Sequence, residues 1–150
     1  MSRAIVVIPT YNEAENLARI SAAVLEQDPR LEVLVVDDDS PDGTGKLADE
    51  LSAENDRVHV LHRELKEGLG AAYRAGLRQA LDLGADVVLQ MDADFSHPPD
   101  TLPTMLREIE THDVVLGSRY VNGITVVNWP LHRILISYLG NWYAKKVTGR

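Results

Sequence analysis

Val87-Val88-Leu89-Gln90-Met91-Asp92-Ala93-Asp94 decides how the rest of the chain is read. A short apolar run ends abruptly in two carboxylates one residue apart. Such a run reads as a buried strand, and its end as a sheet edge that presents Asp92 and Asp94. Ligands of open α/β sheets bind outside the carboxyl ends of the strands. Two hard oxygen ligands placed there suit a divalent cation and the phosphates it carries.

Two further runs repeat the pattern. Ala4-Ile5-Val6-Val7-Ile8 is continuously apolar and stops at Pro9-Thr10-Tyr11-Asn12-Glu13. A helix with Leu17, Ile20 and Val24 on one face follows. Thr10 and Glu13 have the spacing of a capping box, which is the structural reading of Glu13 beside a functional one. Val33-Leu34-Val35-Val36 is the second buried strand and ends in Asp37-Asp38-Asp39, then Ser40-Pro41-Asp42-Gly43-Thr44. Three adjacent acids repel one another unless a ligand, a cation or solvent relieves them. Asp42 or Thr44 is placed to cap a helix that buries Leu47, Ala48 and Leu51.

Val58 to His62 alternates weakly and reads as a third strand. Gly68-Leu69-Gly70 opens an Ala-rich helix with Tyr73, Leu77 and Leu81 at regular spacing. It matches neither a dinucleotide fingerprint nor a P-loop, so a structural turn is expected there. After Asp94, Pro98 and Pro99 hold a loop open, and Leu102, Met105, Leu106 and Ile109 then give helical spacing. Val114-Val115-Leu116-Gly117 reads as a further strand that places Arg119 at the same edge. A last helix carries Leu131, Ile134, Leu135, Tyr138 and Trp142 as an apolar stripe. Arg133, Ser137, Asn141 and Lys145 lie on another side. Strands alternating with helices predict an α/β fold, a mostly parallel sheet with helices on both faces.

Composition narrows the function classes. The 150 residues are 45% apolar and 25% charged, as expected of one globular domain. Cysteine is absent, which excludes disulfides, thiolate metal sites and cysteine nucleophiles. The net charge of −8 argues against nucleic acid as a partner. Residues 1–113 carry all 23 acids and 10 of the 15 Lys and Arg, hence −13, whereas 114–150 carry five bases and no acid, hence +5. A basic tail on an acidic chain points to an anionic partner for the tail. No apolar stretch approaches the roughly 20 residues of a membrane span, and no N-terminal signal is visible.

Five motifs in chain order resemble family 2 glycosyltransferases of the GT-A (Rossmann-like) fold, and within them the dolichol- and polyprenol-phosphate mannosyltransferases. They are Pro9-Thr10-Tyr11-Asn12-Glu13, Val36 to Thr44, Gly68 to Tyr73, Met91-Asp92-Ala93-Asp94 with Ser96-His97-Pro98, and Gly117-Ser118-Arg119-Tyr120. The resemblance implies inverting transfer of mannose from GDP-mannose to a polyprenyl (dolichyl-type) monophosphate, with Mg or Mn. By position, it implies Pro9, Tyr11, Glu13, Val36 and Asp38 at the nucleoside, and Asp92, Ala93 and Asp94 at the diphosphate. Asp92 and Asp94 would be the metal ligands, Asp94 and Arg119 the catalytic pair, and Arg133 and Ser137 neighbours of the acceptor phosphate.

It also implies peripheral contact at the cytoplasmic face of a membrane. Family members continue into an Asp-x-Thr-x-Gly-Phe-Arg type segment, so residues 1–150 are expected to be the catalytic domain without the family's C-terminal part. The alternatives are a UDP-sugar-dependent transferase acting on the same lipid phosphate and a nucleotide-sugar-binding fragment without turnover. An acceptor that is already anionic near neutral pH needs little general base, which fits the lack of a His–acid or Ser–His pairing.

Overall fold

The computed structural model describes residues 2–117 and 131–149, with backbone alone for 131–134. The chain divides into two units, residues 1–113 and 114–150. In the first unit β1 (Ala4–Thr10), β2 (Leu31–Asp37), β3 (Val58–His62) and β4 (Val87–Gln90) form one sheet in the order β3-β2-β1-β4. Every pairing is parallel. α1 (Ala14–Leu25), α2 (Thr44–Glu54) and α3 (Leu69–Asp82) connect the strands, and α4 (Leu102–Glu108) follows a short 3-10 turn at Pro99–Thr101.

The unbroken apolar runs have the expected cause: both faces of the sheet are covered. Alternate residues go to opposite sides. Val6, Ile8, Val33 and Val35 pack with Leu17, Ile20 and Val24 of α1, Ala48 of α2 and Leu102 and Leu106 of α4. Ile5, Val7, Leu34 and Val36 pack with Ala72 and Ala80 of α3. The α3 seam consists of small residues, Ala72, Gly76 and Ala80, while Leu81 is exposed. A Cβ on Gly76 would lie 2.4 Å from Val7 Cγ1 and 2.8 Å from Val36 Cγ2, so the helix backbone rides directly on the sheet.

Two local expectations are corrected. Val114–Gly117 is not a strand, and Val114 and Leu116 are 72% and 84% exposed. An apolar run becomes a strand only where a neighbour takes its backbone hydrogen bonds, which its own pattern cannot reveal. The capping box at Thr10 and Glu13 does not form either. Glu13 is the N-cap of α1 without a side-chain cap bond. Thr10 Oγ1 turns to Val36 O and Asp37 Oδ1 at 3.4 and 3.3 Å, because β1 continues through it. The α1 terminus is capped from the next loop: Ala14 N–H donates to Asp42 Oδ2 at 3.1 Å and Glu13 N–H to Thr44 Oγ1 at 2.9 Å.

In the second unit α5 spans Leu131–Thr148. Its exposed apolar residues go beyond the expected stripe: Leu135, Ile136, Tyr138, Leu139, Trp142, Tyr143 and Val147 are each more than half exposed. Among the described residues, no helix is long and apolar enough to cross a membrane.

Candidate functional site

Parallel pairing brings three strand ends to one edge. Thr10 is in register with Asp37, and Asp37 with His62. β4 stops at Gln90 opposite Val7, so its following loop runs along the last residues of β1. In that loop Met91 and Ala93 are buried in the core. The two residues that alternate with them, Asp92 and Asp94, reach a pocket. Among the described residues, backbone φ is positive without glycine at Asn12, Asp39 and Phe95, in the loops after β1, β2 and β4. Such conformations cost about 1–3 kcal/mol each and cluster at functional sites.

The pocket is lined by Pro9, Thr10, Tyr11, Glu13, Asp38, Lys66, Gly68, Leu69, Ala72, Asp92, Ala93 and Asp94. Of the sequence-predicted residues it therefore assembles Pro9, Tyr11, Glu13, Asp38, Asp92, Ala93 and Asp94. Val36 does not line it; its side chain is fully buried beneath, against α3. Arg119 lies outside the described residues, as does the side chain of Arg133. Ser137 is half-buried on α5, in the second unit.

The three consecutive acids have three different environments. Asp37 is buried and receives Ser40 Oγ at 2.5 Å and Ser40 N at 3.2 Å, besides Thr10. Asp38 pairs with Arg63 Nη1 at 2.7 Å, with side-chain exposures of 6% and 11%. Asp39 is exposed, in the left-handed conformation. Repulsion within the run is thus relieved by hydroxyls, a guanidinium and water, and only Asp38 faces the pocket. Asp42 receives Thr44 Oγ1 at 2.6 Å, and this bond holds its carboxyl below the usual range.

On the opposite wall, Asp92 Oδ1 accepts the Tyr73 hydroxyl at 2.9 Å. Burial, then the nearby Asp92 carboxylate, pushes the Tyr73 phenol up, so it remains a donor. The Asp92 N–H donates to His97 Nδ1 at 3.1 Å, which places the proton of the neutral ring on Nε2. The 3.8 Å approach of His97 Nδ1 to Asp92 Oδ2 is then a lone-pair contact rather than an ion pair. Ser96, through its hydroxyl and its N–H, holds the Asp94 carboxyl below the usual range, and it is charged at neutral pH.

Two residues outside the motifs, Lys66 and, through Asp38, Arg63, and two within the Gly68–Tyr73 motif that had no assigned role, Gly68 and Leu69, join the predicted residues here. Lys66 is the one cation among the described lining residues, and its Nζ sits 3.3 Å from the Tyr11 ring centroid. Gly68 (φ +96°) and Leu69 bring the first turn of α3 to the pocket, with N–H groups of the kind that attract anions. Arg63 follows directly after β3, and position at that edge is the signal that could have found it.

Among the described residues, no three His, Cys, Asp or Glu are grouped to hold a metal by themselves. Asp92 and Asp94 fit a different arrangement, in which one or two carboxylates bind Mg or Mn and substrate phosphates with water complete the shell.

Residues 5–149 match the family model of glycosyl transferase family 2. The chain is 50% identical over 147 residues to an undecaprenyl-phosphate mannosyltransferase of Micrococcus luteus, covering 98% of this chain and 60% of that one. It is 51% identical over 149 residues to a polyprenol monophosphomannose synthase of Mycolicibacterium smegmatis, covering 98% and 56%. The chain thus spans somewhat more than half the length of these relatives. Its fold is similar to that of a mannosyltransferase from Pyrobaculum calidifontis in complex with GDP-Man and Mn2+, with a TM-score of 0.61 and 31% identity over 70% of this chain and 31% of that one. With its parallel sheet, its acidic strand-end pocket and a family match over nearly its whole length, this chain belongs to glycosyl transferase family 2.

Proposed function

We propose that this chain forms the GT-A catalytic domain of a polyprenyl-phosphate mannosyltransferase, with GDP-mannose as donor and Mg or Mn as the metal. The observation that carries the reading is the division of the pocket. Glu13 and Asp38, acceptors for a nucleoside's N–H and hydroxyl groups, line it together with Asp92 and Asp94. The names of the relatives and the GDP-Man and Mn2+ of the structural neighbour support donor, acceptor and metal class.

In this reading the acceptor's phosphate oxygen attacks C1 of mannose from the face opposite the nucleotide. The C1–O bond breaks with inversion, and its electron pair leaves on GDP. The acceptor oxygen is already anionic, so no side chain has to remove a proton. A bound Mg or Mn supplies neutralisation of charge on the leaving diphosphate. Asp92 and Asp94 would hold that ion. Lys66, which sits on the Tyr11 ring, and the first N–H groups of α3 add positive potential to the pocket, and Tyr11 contributes an aromatic surface for the nucleoside. Arg119 at the leaving diphosphate, and Arg133 and Ser137 near the acceptor phosphate, are proposed on the resemblance alone.

Peripheral membrane contact belongs to the same proposal. The tail from residue 114 is basic and acid-free, and the exposed apolar side chains of α5 stand beside Lys145 and Lys146. Exposed apolar side chains beside cations suit a surface of anionic lipid headgroups. The cytoplasmic face is proposed on the resemblance alone.

The test is incubation with GDP-mannose, Mn2+ and a polyprenyl phosphate in detergent, following lipid-linked mannose. Expected is a mannosyl lipid formed in step with GDP. Product from a UDP-sugar instead would replace the donor assignment, and donor binding without product would reduce the chain to a nucleotide-sugar-binding domain.

A further inference from the structure

The Tyr73 hydroxyl reaches Asp92 Oδ1 at 2.9 Å. What fixes the phenol there is the seat of its helix. Tyr73 follows Ala72 in the seam that lies on the sheet, and the close approach at Gly76 leaves no room for α3 to settle deeper. Tyr73 is partly buried against the core cluster on this face of the sheet, so the oxygen is delivered by a packed, rigid ring. A carboxylate has no proton to give at neutral pH, hence Tyr73 donates. The other bond near this residue, from Asp92 N–H to His97 Nδ1, anchors the backbone and leaves the carboxylate free to turn. Among the described residues, Asp92 Oδ2 accepts no hydrogen bond, and its neighbour is His97 Nδ1 at 3.8 Å.

We propose that Tyr73 is a positioning residue for Asp92: it engages Oδ1 and thereby presents Oδ2 to the divalent cation that accompanies the donor. The inference rests on the donor-site reading above. An exposed carboxylate rotates about its last bond and must be ordered when metal binds. One already held by a phenol loses less freedom and offers one oxygen in a set direction. Hydrogen bonds to ligating groups act in this way at metal sites, and their removal weakens the metal by roughly 10–100-fold.

Tyr73→Phe tests this, because it deletes one oxygen and keeps the ring in its packing. Free Mn2+ is followed by electron paramagnetic resonance in the presence of GDP, for the native protein, Tyr73→Phe, Asp92→Asn and the double variant. Expected for Tyr73→Phe is Mn2+ affinity lower by roughly 10-fold. GDP binding without metal and the thermal midpoint should remain near native. Tyr73→Phe should also cost nothing further once Asp92→Asn is present. Native Mn2+ affinity in Tyr73→Phe, or an equal loss in the Asp92→Asn background, would overturn the role. So would a fall in metal-free GDP binding that parallels the Mn2+ loss, since that is the signature of a merely structural phenol. Failure of the native protein to bind Mn2+ with GDP would instead overturn the donor-site reading, and this role with it.

Discussion

Arg63 closes over Asp38: its Nη1 is 2.7 Å from Asp38 Oδ1, both side chains are nearly enclosed, and its Nη2 reaches Glu67 at 2.7 Å. The strand-end acid that faces the pocket is therefore held by the residue that follows the neighbouring strand. Removing the guanidinium leaves Asp38 enclosed with an uncompensated charge. Arg63→Met is expected to lose about 3 kcal/mol of stability in urea titration. Asp38→Asn in the same chain should restore part of it, because the orphaned charge is then gone. Simple additivity of the two substitutions would contradict the pairing.

The seat of α3 gives a contrast between two glycines. A Cβ at Gly76 would meet Val7 and Val36 at 2.4 and 2.8 Å, whereas one at Gly70 meets nothing within 4 Å. Gly76→Ala must lift the helix or shift two fully buried valines, and about 1–3 kcal/mol should be lost. Gly70→Ala, on the same helix, should be neutral or stabilising by a few tenths of a kcal/mol. Urea midpoints of the two variants decide the matter; equal effects would mean that the helix does not ride on the sheet as described.

Acid stability should depend on Glu32. Arg3 donates to it through Nε and Nη2, each at 2.7 Å, and His59 Nε2 lies at 2.6 Å. The Arg3 hydrogen bonds, opposed by burial and aided by His59, hold its carboxyl below the usual range. A folded-state pKa below the unfolded one stabilises above the unfolded value, about 4.3 for Glu, and that stability is lost as pH falls through the folded value. Between about pH 5 and pH 2 the unfolding free energy should decline less steeply in Glu32→Gln than in the native chain. Parallel curves would show that Glu32 takes up its proton at the same pH in both states.

Much of the fold is legible in the sequence because a sheet covered on both faces leaves unbroken apolar runs, as at Ala4–Ile8 and Val33–Val36. The acidic half of the site is legible for a related reason: a run that ends in Asp92 and Asp94 has to place them at the edge. Arg63, Lys66 and Tyr73 carry weaker signals. A charge in a polar stretch such as Arg63 to Glu67 is ordinary, and Tyr73 shares the spacing of Leu77 and Leu81, so it reads as one more apolar residue on a helix. Its role depends on the height of α3, which small residues at Ala72, Gly76 and Ala80 set. Val114–Leu116 fails in the opposite direction, since strand pattern specifies a face and not a partner.

Calorimetric titration with GDP, with UDP as control, with and without Mn2+, on the native chain and on Asp92→Asn and Asp94→Asn decides whether the strand-end carboxylates hold the donor's metal. Tight GDP binding should require Mn2+, exceed that of UDP, and fall by at least roughly 10–100-fold in either variant while their folding is unchanged. GDP binding that ignores Mn2+ and survives both substitutions would contradict this, and the strand-end carboxylates would not be the donor's metal site.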